Sequence, residues 1–470
     1  MPLRTCDFEG CSAPAERDIG SCMICSSHRC VKHIAPEFHS CPSQNLDSEA
    51  FFPAYNLAQE KHLRTQLAKV DFAALKAIAS RLRNDIPCTL PALPPDANSP
   101  QIDLKIVMEQ MGGQNCHLDI HFADGIVWIA RLRLEDPTLP PLETQRIIFD
   151  SEVALVQFLR EKTQLPVPQI FYHASYEQSG IGTPCVLMQK LAGKPLDWNG
   201  ATAQQRSKVM EQLVDVFLEL EKYPFSSMGS LAAATSSGAG IGSYAQPHLF
   251  RTPSQSLGPF TSLGDALRSF VEHEMEMISQ GEICTHAVDH YLTHLWRLDQ
   301  IPNLIKNATH GSSFYIKHCD DKGDHILVDD NFNITGIIDW EWASTECAQL
   351  AFSAPCMMWP VAEFYDGSNI LSTEEREFAA MFQQRGREDL ARIVLEGRKY
   401  QRFLFFLGGS VSADREEFEA LFQGLRRAVE GDGIGSYADW RRDAIARESQ
   451  GQNPILAELL QKEREQKSGR

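Results

Sequence analysis

The chain has 470 residues, of which 43% are apolar, enough to form sizeable cores in two to four domains. Its 44 basic and 62 acidic residues give a formal charge of −18, which would repel nucleic-acid phosphates and anionic lipid surfaces. The sequence contains no apolar run of about eighteen residues and starts with a polar, cysteine-bearing segment. We therefore expect an intracellular protein, cytoplasmic or nuclear, whose partners are neither nucleic acids nor membranes.

Cysteine is concentrated near the start of the chain, where six of the thirteen cysteines lie between residues 6 and 41. With two histidines they form four close pairs: Cys6 and Cys11, Cys22 and Cys25, Cys30 and His33, His39 and Cys41. Eight such ligands suffice for two tetrahedral zinc sites, and the metals would supply the folding free energy that so short a segment cannot obtain from a core. Disulfides are the alternative, but an intracellular setting disfavours them and they would leave the histidines without a role.

This spacing resembles the AN-one-type zinc finger at all eight ligand positions. In such cross-braced fingers alternate pairs share a metal, so the resemblance implies one zinc held by Cys6, Cys11, Cys30 and His33 and a second held by Cys22, Cys25, His39 and Cys41. Residues 1–43 lack the basic surface of a nucleic-acid reader, which favours a protein partner for this finger.

Residues 44–100 are predicted to be a helical linker that ends in a proline-rich stretch. The apolar spacing between residues 47 and 86 predicts two helices with a break near Asp71. The segment "PCTLPALPPDANSP", residues 87–100, is too rich in proline for regular hydrogen-bonded structure. We expect it to mark a domain boundary near residue 100 and to separate two cores.

The body of the chain changes from strands to helices. Alternating apolar residues from 101 to 134, broken at Gly112–Gly113 and Asp124–Gly125, predict three antiparallel strands. A helix at about 150–162, a strand in "PCVLMQKLAG" and a mainly helical remainder follow. This order is typical of a bilobal, kinase-like fold of the α+β class, with an N-lobe at 101–192, a helical C-lobe at 193–440 and a charged, solvated tail at 441–470.

The stretch "HCDDKGDHILVDDNFNITGIIDWEW", residues 318–342, carries the chemistry. "ILV" and "ITGII" predict a short hairpin, with Asp320 and His325 just before it and Asp339 where it ends. We expect these side chains to face one cleft. A phosphotransferase needs a base near the accepting hydroxyl and oxygen ligands for magnesium, and two such acids would serve both needs.

Residues from about 105 to 410 resemble the aminoglycoside phosphotransferase family, whose signature H-x-D-x4-N is followed fourteen residues later by an aspartate. His318, Asp320, His325 and Asp339 stand at these four positions. The resemblance implies ATP with magnesium or manganese, Asp320 as the catalytic base and Asp339 as a metal ligand. His325 replaces the asparagine that is usually the second metal ligand. Three outcomes are open: His325 binds a softer ion such as manganese, Asp324 supplies the missing oxygen, or the second metal site is absent.

The same resemblance implies a nucleotide site in the N-lobe. Arg131 stands where a kinase-like strand carries its phosphate-pairing lysine, and Glu152 stands where a helix provides the partner. Arg133 competes with Arg131, because residues two apart on a strand point the same way. Gly112 and Gly113 would either cover the phosphates or form a plain turn, and the backbone of Gln189, Lys190 and Leu191 would meet adenine.

Together these features predict an ATP-dependent phosphotransferase that acts on a hydroxyl of a small molecule and carries a finger for a protein partner. The alternative is a pseudokinase scaffold that acts through its finger. His325 and Arg131 favour the scaffold, whereas Asp320 and Asp339 favour the enzyme.

Overall fold

A computed structural model describes residues 2–43, 47–93, 103–175, 179–235, 238–306, 313–405 and 414–468. The segment before residue 44 is built mainly of loops around one small antiparallel hairpin, β1 (Ser21–Cys22) and β2 (Ser27–His28).

Two helices follow, as predicted: α1 (Ser48–Leu67) and α2 (Phe72–Leu82). Asp71 explains the break between them, because its side chain accepts a hydrogen bond from the amide of Ala74 and caps α2. The two helices are not a detached linker, however. Their buried residues, including Leu67 and Leu75, belong to the same hydrophobic cluster as the sheet of the N-lobe. The expectation that a linker separates two cores is therefore wrong.

The proline-rich stretch also takes part in the fold. Residues Cys88–Thr89 form a short strand, β3, which pairs with residues 121–122 at the edge of the sheet. The prediction that this stretch lacks regular structure is wrong at its beginning, because an edge strand needs hydrogen bonds on one side only. Residues 94–100 lie outside the described part of the chain.

The N-lobe contains one antiparallel sheet in the order β3-β4-β5-β7-β6. Its further elements are α3 (Leu104–Glu109), β4 (Asn115–Phe122), β5 (Val127–Arg133), α4 (Leu142–Lys162), β6 (Ile170–Ala174) and β7 (Cys185–Gln189). The first of the three predicted strands is instead the helix α3. Asp103 caps it, and the buried Leu104 and Val107 stand three residues apart, which is a helical spacing.

The C-lobe follows a short connection at residues 190–193. Its first elements are β8 (Lys194–Pro195), α5 (Ala203–Glu221), β9 (Ser230–Thr235), β10 (Gly238–Gly242), β11 (Phe250–Thr252), β12 (Gln255–Ser256), α6 (Leu263–Gln280), α7 (Ala287–Ile305), β13 (Phe314–Lys317), β14 (Ile326–Val328), β15 (Ile334–Ile337) and β16 (Ser344–Cys347). Its later helices are α8 (Ala348–Ala351), α9 (Val361–Tyr365), α10 (Thr373–Gln384), α11 (Glu388–Glu396), α12 (Arg398–Phe405), α13 (Arg415–Glu430), α14 (Tyr437–Gln450) and α15 (Pro454–Ser468).

The last two helices are not a solvated tail. Leu456 and Leu459 are buried in a cluster with residues of α6 and α7, and Arg441 on α14 forms an ion pair with the buried Asp289. The prediction of a solvated tail is wrong here, because the apolar residues at 455–460 cover α7 before the charged end of α15 begins. None of the helices in the described part of the chain combines the length and apolar character needed to cross a bilayer.

The hairpin predicted from residues 326–338 is present, formed by β14 and β15. β8 pairs with β14 and thereby brings the connection between the lobes against the hairpin. Gly193 has a φ of +110°, and a Cβ there would lie 2.9 Å from the carbonyl oxygen of Val328. Only glycine permits this close approach of two backbones, which positions the floor of the cleft between the lobes.

Candidate active site

A cavity of about 570 Å³ lies between the sheet of the N-lobe and the β14–β15 hairpin. Most of the residues predicted to bind nucleotide or to act in catalysis line it: Gly112, Gly113, Arg131, Glu152, Gln189, Lys190, Leu191, Asp320 and Asp339. Gly112 and Gly113 lie between α3 and β4, not in a strand hairpin as expected. The fold thus gathers residues more than 200 positions apart onto one cleft.

Arg131 and Glu152 form the central ion pair of the N-lobe wall. Arg131 Nη1 donates to Glu152 Oε1 at 2.5 Å, and Nη2 donates to the second carboxylate oxygen. Burial alone would lower the pKa of Arg131, but the charge of Glu152 outweighs burial and the pKa is raised. Arg131 is therefore charged, and Glu152 holds it in a bidentate geometry that lysine could not provide.

Glu341 is a second carboxylate in this wall. It accepts from Arg133 Nη1 at 2.8 Å and lies 3.4 Å from Arg131 Nη2. Burial raises the pKa of Glu341, while the guanidinium of Arg133 opposes that rise. Arg131 and Arg133 do share one face of β5, but only Arg131 lines the cavity and pairs with Glu152.

Sequence reasoning missed Glu341, which lies in the motif "WEW" at residues 340–342. Trp340, its neighbour, is a buried core residue. A glutamate between two tryptophans was the available signal, because a carboxylate is seldom buried without a cationic partner.

Asp320 lies on the C-lobe side of the cavity with Lys322, another residue that sequence reasoning missed. Lys322 Nζ donates to Asp320 Oδ2 at 2.8 Å and lies 3.6 Å from Asp324 Oδ2. The hydrogen bond to Asp320 raises the pKa of Lys322, so a cation stands beside the candidate base. A lysine flanked by three acids within five residues was the signal in the sequence.

Asp339 follows β15 and has a left-handed backbone with a φ of +59°. A non-glycine residue in this conformation is strained, and such strain is concentrated at functional sites. Neighbouring contacts hold the segment: His318 Nε2 lies 2.9 Å from the carbonyl oxygen of Ile338, whose amide donates to the carbonyl of His325. Burial raises the pKa of Asp339, and the charge of Arg131 opposes this.

The structure does not bring His325 or Asp324 to the cavity wall beside Asp339. The ring of His325 stacks on that of His318, with 4.2 Å between centroids, and lines a separate, smaller cavity with apolar residues such as Phe217. Burial lowers the pKa of His325 to about 2, so the imidazole is neutral. Asp324 is exposed and turned toward Lys322. Neither side chain lines the cavity with Asp339, and the expectation that one of them replaces the missing asparagine stays a prediction.

The eight ligands predicted for zinc come together in two groups. Cys6, Cys11, Cys30 and His33 form the first, and Cys22, Cys25, His39 and Cys41 form the second; in each, the ligand atoms lie within 4.8 Å of one another. All thirteen cysteines are free, so the disulfide alternative has no support. These are the two groups that the cross-braced pattern implies.

The distances within the groups suit a tetrahedral metal. Cys11 Sγ and Cys30 Sγ are 3.9 Å apart, and Cys6 Sγ lies 3.4 Å from His33 Nδ1. Zinc–sulfur bonds of about 2.3 Å place two thiolates of a tetrahedron about 3.8 Å apart. The donor set and its spacing are thus compatible with zinc in both groups.

Several solved structures are similar to this chain at low sequence identity. Among solved structures, aminoglycoside phosphotransferase APH(4)-Ia is 11% identical with a TM-score of 0.42, over 77% of this chain and 99% of that one. An ethanolamine kinase from Plasmodium vivax is 13% identical with a TM-score of 0.40, over 68% and 80% of the two chains.

Two fungal proteins are similar in sequence. The clavilactone A biosynthesis cluster protein Y of Ampulloclitocybe clavipes is 28% identical over 54% of this chain and 63% of its own length. A subtelomeric hrmA-associated cluster protein of Aspergillus fumigatus is 30% identical over 17% of this chain and 16% of its own length. The chain thus spans less than two thirds of the length of these curated relatives.

The sequence profile of the phosphotransferase enzyme family matches residues 131–348, from the arginine of β5 to the start of α8. The matched range contains Glu152, Asp320 and Asp339. Residues 131–348 are thus similar to the phosphotransferase enzyme family, and the body of this chain has the kinase-like fold.

Proposed function

We propose that this protein is an ATP-dependent phosphotransferase that phosphorylates a hydroxyl of a small molecule. One observation carries the proposal. Asp320, Lys322, Asp339 and the Arg131–Glu152 pair line a single cavity between the lobes, although they come from distant parts of the chain. A base, a metal-binding carboxylate and a cation for phosphates are the parts that phosphoryl transfer requires.

Each residue has a distinct task in this proposal. Asp320 accepts the proton of the attacking hydroxyl, and Lys322 keeps that carboxylate in place through its 2.8 Å hydrogen bond. Asp339 offers carboxylate oxygens, the ligand type that magnesium prefers. Arg131, fixed by Glu152, directs its positive charge toward the phosphate end of the cavity. When bound, ATP would supply the transferable phosphate, and magnesium would offset the negative charge of the phosphates.

The acceptor is proposed to be a small molecule because the body of the chain has a kinase-like fold similar to the phosphotransferase enzyme family. The name of one relative places it in a clavilactone A biosynthesis cluster, which agrees with a small-molecule substrate.

We also propose that the two ligand groups of residues 6–41 hold two zinc ions and that the exposed side of this finger serves a protein partner. Elemental analysis of the protein purified without chelator should find two zinc ions per chain; fewer than one would refute the zinc assignment.

The test of the proposed function is Asp320→Asn, which replaces a proton acceptor by a neutral side chain of the same shape. It should preserve ATP binding and lower phosphate transfer from labelled ATP to a metabolite extract by at least about a hundredfold. The matched control is Asp330→Asn in the β14–β15 turn, where the carboxylate is almost fully exposed and pairs with Lys194. Equal transfer by both variants would refute the role of Asp320.

The second candidate function is a nucleotide-binding or inert scaffold. It is favoured by the position of His325 outside the cavity and by the two carboxylates that already contact Arg131. The two functions differ in their response to metal. An enzyme should bind ATP more tightly with magnesium than without it, whereas equal affinity in both conditions, together with no transfer, would establish the scaffold.

A further inference from the structure

The finger (residues 2–43) lies against both lobes of the kinase-like body instead of standing apart from it. On the C-lobe side, the amide of Arg17 donates to the carbonyl of Glu282 at 2.8 Å, and Arg17 Nε donates to the carboxylate of Glu282 at 2.6 Å. Both side chains of this ion pair are nearly buried. On the N-lobe side, Ser26 Oγ lies 3.1 Å from His62 Nε2 on α1. A hydrogen-bonded, buried ion pair of this kind fixes orientation.

A second set of contacts reaches the segment that leads into α4. Arg4 donates to the carbonyl oxygen of Leu139, and His28 Nε2 lies 3.1 Å from the carbonyl oxygen of Pro137. Leu3 packs in a small apolar cluster with Ile148 on α4 and with Trp342, which also lines the nucleotide cavity. His28 is not among the eight candidate zinc ligands, and it thus has a contact of its own.

That segment joins the two halves of the central ion pair. Residues 134–141 run from β5, which carries Arg131, to α4, which carries Glu152. Pro141 stands at the start of α4 and provides no side-chain cap, so the contacts from the finger help to fix where this helix begins. A shift of α4 would move Glu152 relative to Arg131 and change the position of the guanidinium in the cavity.

We propose that the zinc-organised finger is an internal clasp, in which Leu3, Arg4 and His28 hold residues 137–148 and thereby position Glu152 against Arg131. Cys6 lies two residues after Arg4, and Cys30 lies two residues after His28. Metal binding by these cysteines would therefore shape the surface that holds residues 137–148. The effect on ATP binding rests on the proposed function, whereas the effect on α4 does not.

The experiment uses the full chain and hydrogen–deuterium exchange. The variant Arg4→Gln/His28→Gln should retain its zinc and speed amide exchange in residues 137–153 by about tenfold, while α10 at residues 373–384 exchanges as in the parent. Arg4→Lys, which keeps a donor for the carbonyl of Leu139, should retain most of the protection. Glu37→Gln, on the exposed side of the finger, is the matched control and should change nothing. Removal of zinc from the parent by a chelator should raise exchange in the same residues, 137–153, although no zinc ligand lies among them.

Unchanged exchange in residues 137–153, both in the zinc-bound double variant and in the zinc-free parent, would overturn the clasp. A weakening of ATP affinity in the double variant by about fivefold, with the Glu37→Gln control unaffected, would support it. If the parent binds no ATP, the proposed function fails, and the exchange measurement alone decides whether the finger holds α4.

Discussion

Glu341 offers a quantitative test of the ion-pair network behind the cavity. Its carboxylate lies 2.8 Å from Arg133 Nη1 and 3.4 Å from Arg131 Nη2, and the side chain of Arg133 is only 1% exposed. Glu341→Gln keeps the shape and one acceptor but leaves the charge of Arg133 buried without a counter-ion. Removal of one partner from a buried ion pair costs about 3 to 5 kcal/mol.

The lower end of this range applies because Arg133 keeps other hydrogen bonds. Its Nε donates to Gln145 Oε1 at 3.1 Å and its Nη2 donates to Gln114 Oε1 at 3.2 Å. We therefore expect Glu341→Gln to lower the free energy of unfolding by about 3 kcal/mol. Urea unfolding followed by tryptophan fluorescence measures this change, because Trp340 and Trp342 flank the substituted residue.

Two further variants make the test specific. Glu60→Gln removes the charge from the exposed pair of Glu60 with Arg64, whose atoms are 2.7 Å apart, and should cost less than about 1 kcal/mol. Arg133→Met combined with Glu341→Leu replaces both charges by apolar groups and should regain most of the loss. If Glu341→Gln costs no more than Glu60→Gln, the network does not stabilise the N-lobe and the reasoning is refuted.

Three other predictions follow from the site and from one buried acid. Asp339→Asn should remove the magnesium-dependent part of ATP affinity. Burial raises the pKa of Asp339 above its ordinary value of 3.8, so in the parent protein this part of the affinity should begin to fall at a pH above 3.8 as the solution is acidified, which calorimetry can measure. His325→Asn should leave the affinity within about twofold, because the ring lines a separate cavity, and a tenfold gain would show instead that this position faces the metal. Burial raises the pKa of Glu274 to about 8, so the folded state keeps a proton that the unfolded chain loses near 4.5. The contribution of Glu274 to the free energy of unfolding should be largest below pH 4.5 and should fall by about 3 to 5 kcal/mol between pH 4.5 and about 8. Glu274→Gln should remove this pH dependence, which thermal unfolding at a series of pH values measures.

The sequence was informative where function depends on short spacings. The β14–β15 hairpin and the places of Asp320 and Asp339 around it follow from local pattern and turn residues. The four ligand pairs of the finger follow from their spacing, and their division into two groups was implied by the resemblance to cross-braced fingers. The direction in which a side chain points was harder to predict from the sequence. His325 occupies a ligand position in the sequence, yet its ring turns toward His318. The spacing of apolar residues does not show to which side of a loop a side chain points.

Contacts between distant segments could not be predicted in the same way. The six-residue helix α3 was expected to be a strand, because a short apolar run satisfies both periods and the capping Asp103 decides between them. The packing of α1 and α2 on the sheet, the role of Glu341 and the docking of the finger all depend on partners far along the chain. A sequence shows that a residue needs a partner, but only the fold identifies which partner it has.

The contact between Arg17 and Glu282 also bears on the order of folding during synthesis. The two residues are separated by 265 positions, so the ribosome completes the finger long before its docking surface exists. The finger can organise early around metal, because its ligands are close together in the chain. Docking must wait for α6 and the loop after it, and the entropy of closing so long a loop places this contact late. Weakening the contact between Arg17 and Glu282 should therefore mainly accelerate unfolding and leave the folding rate little changed.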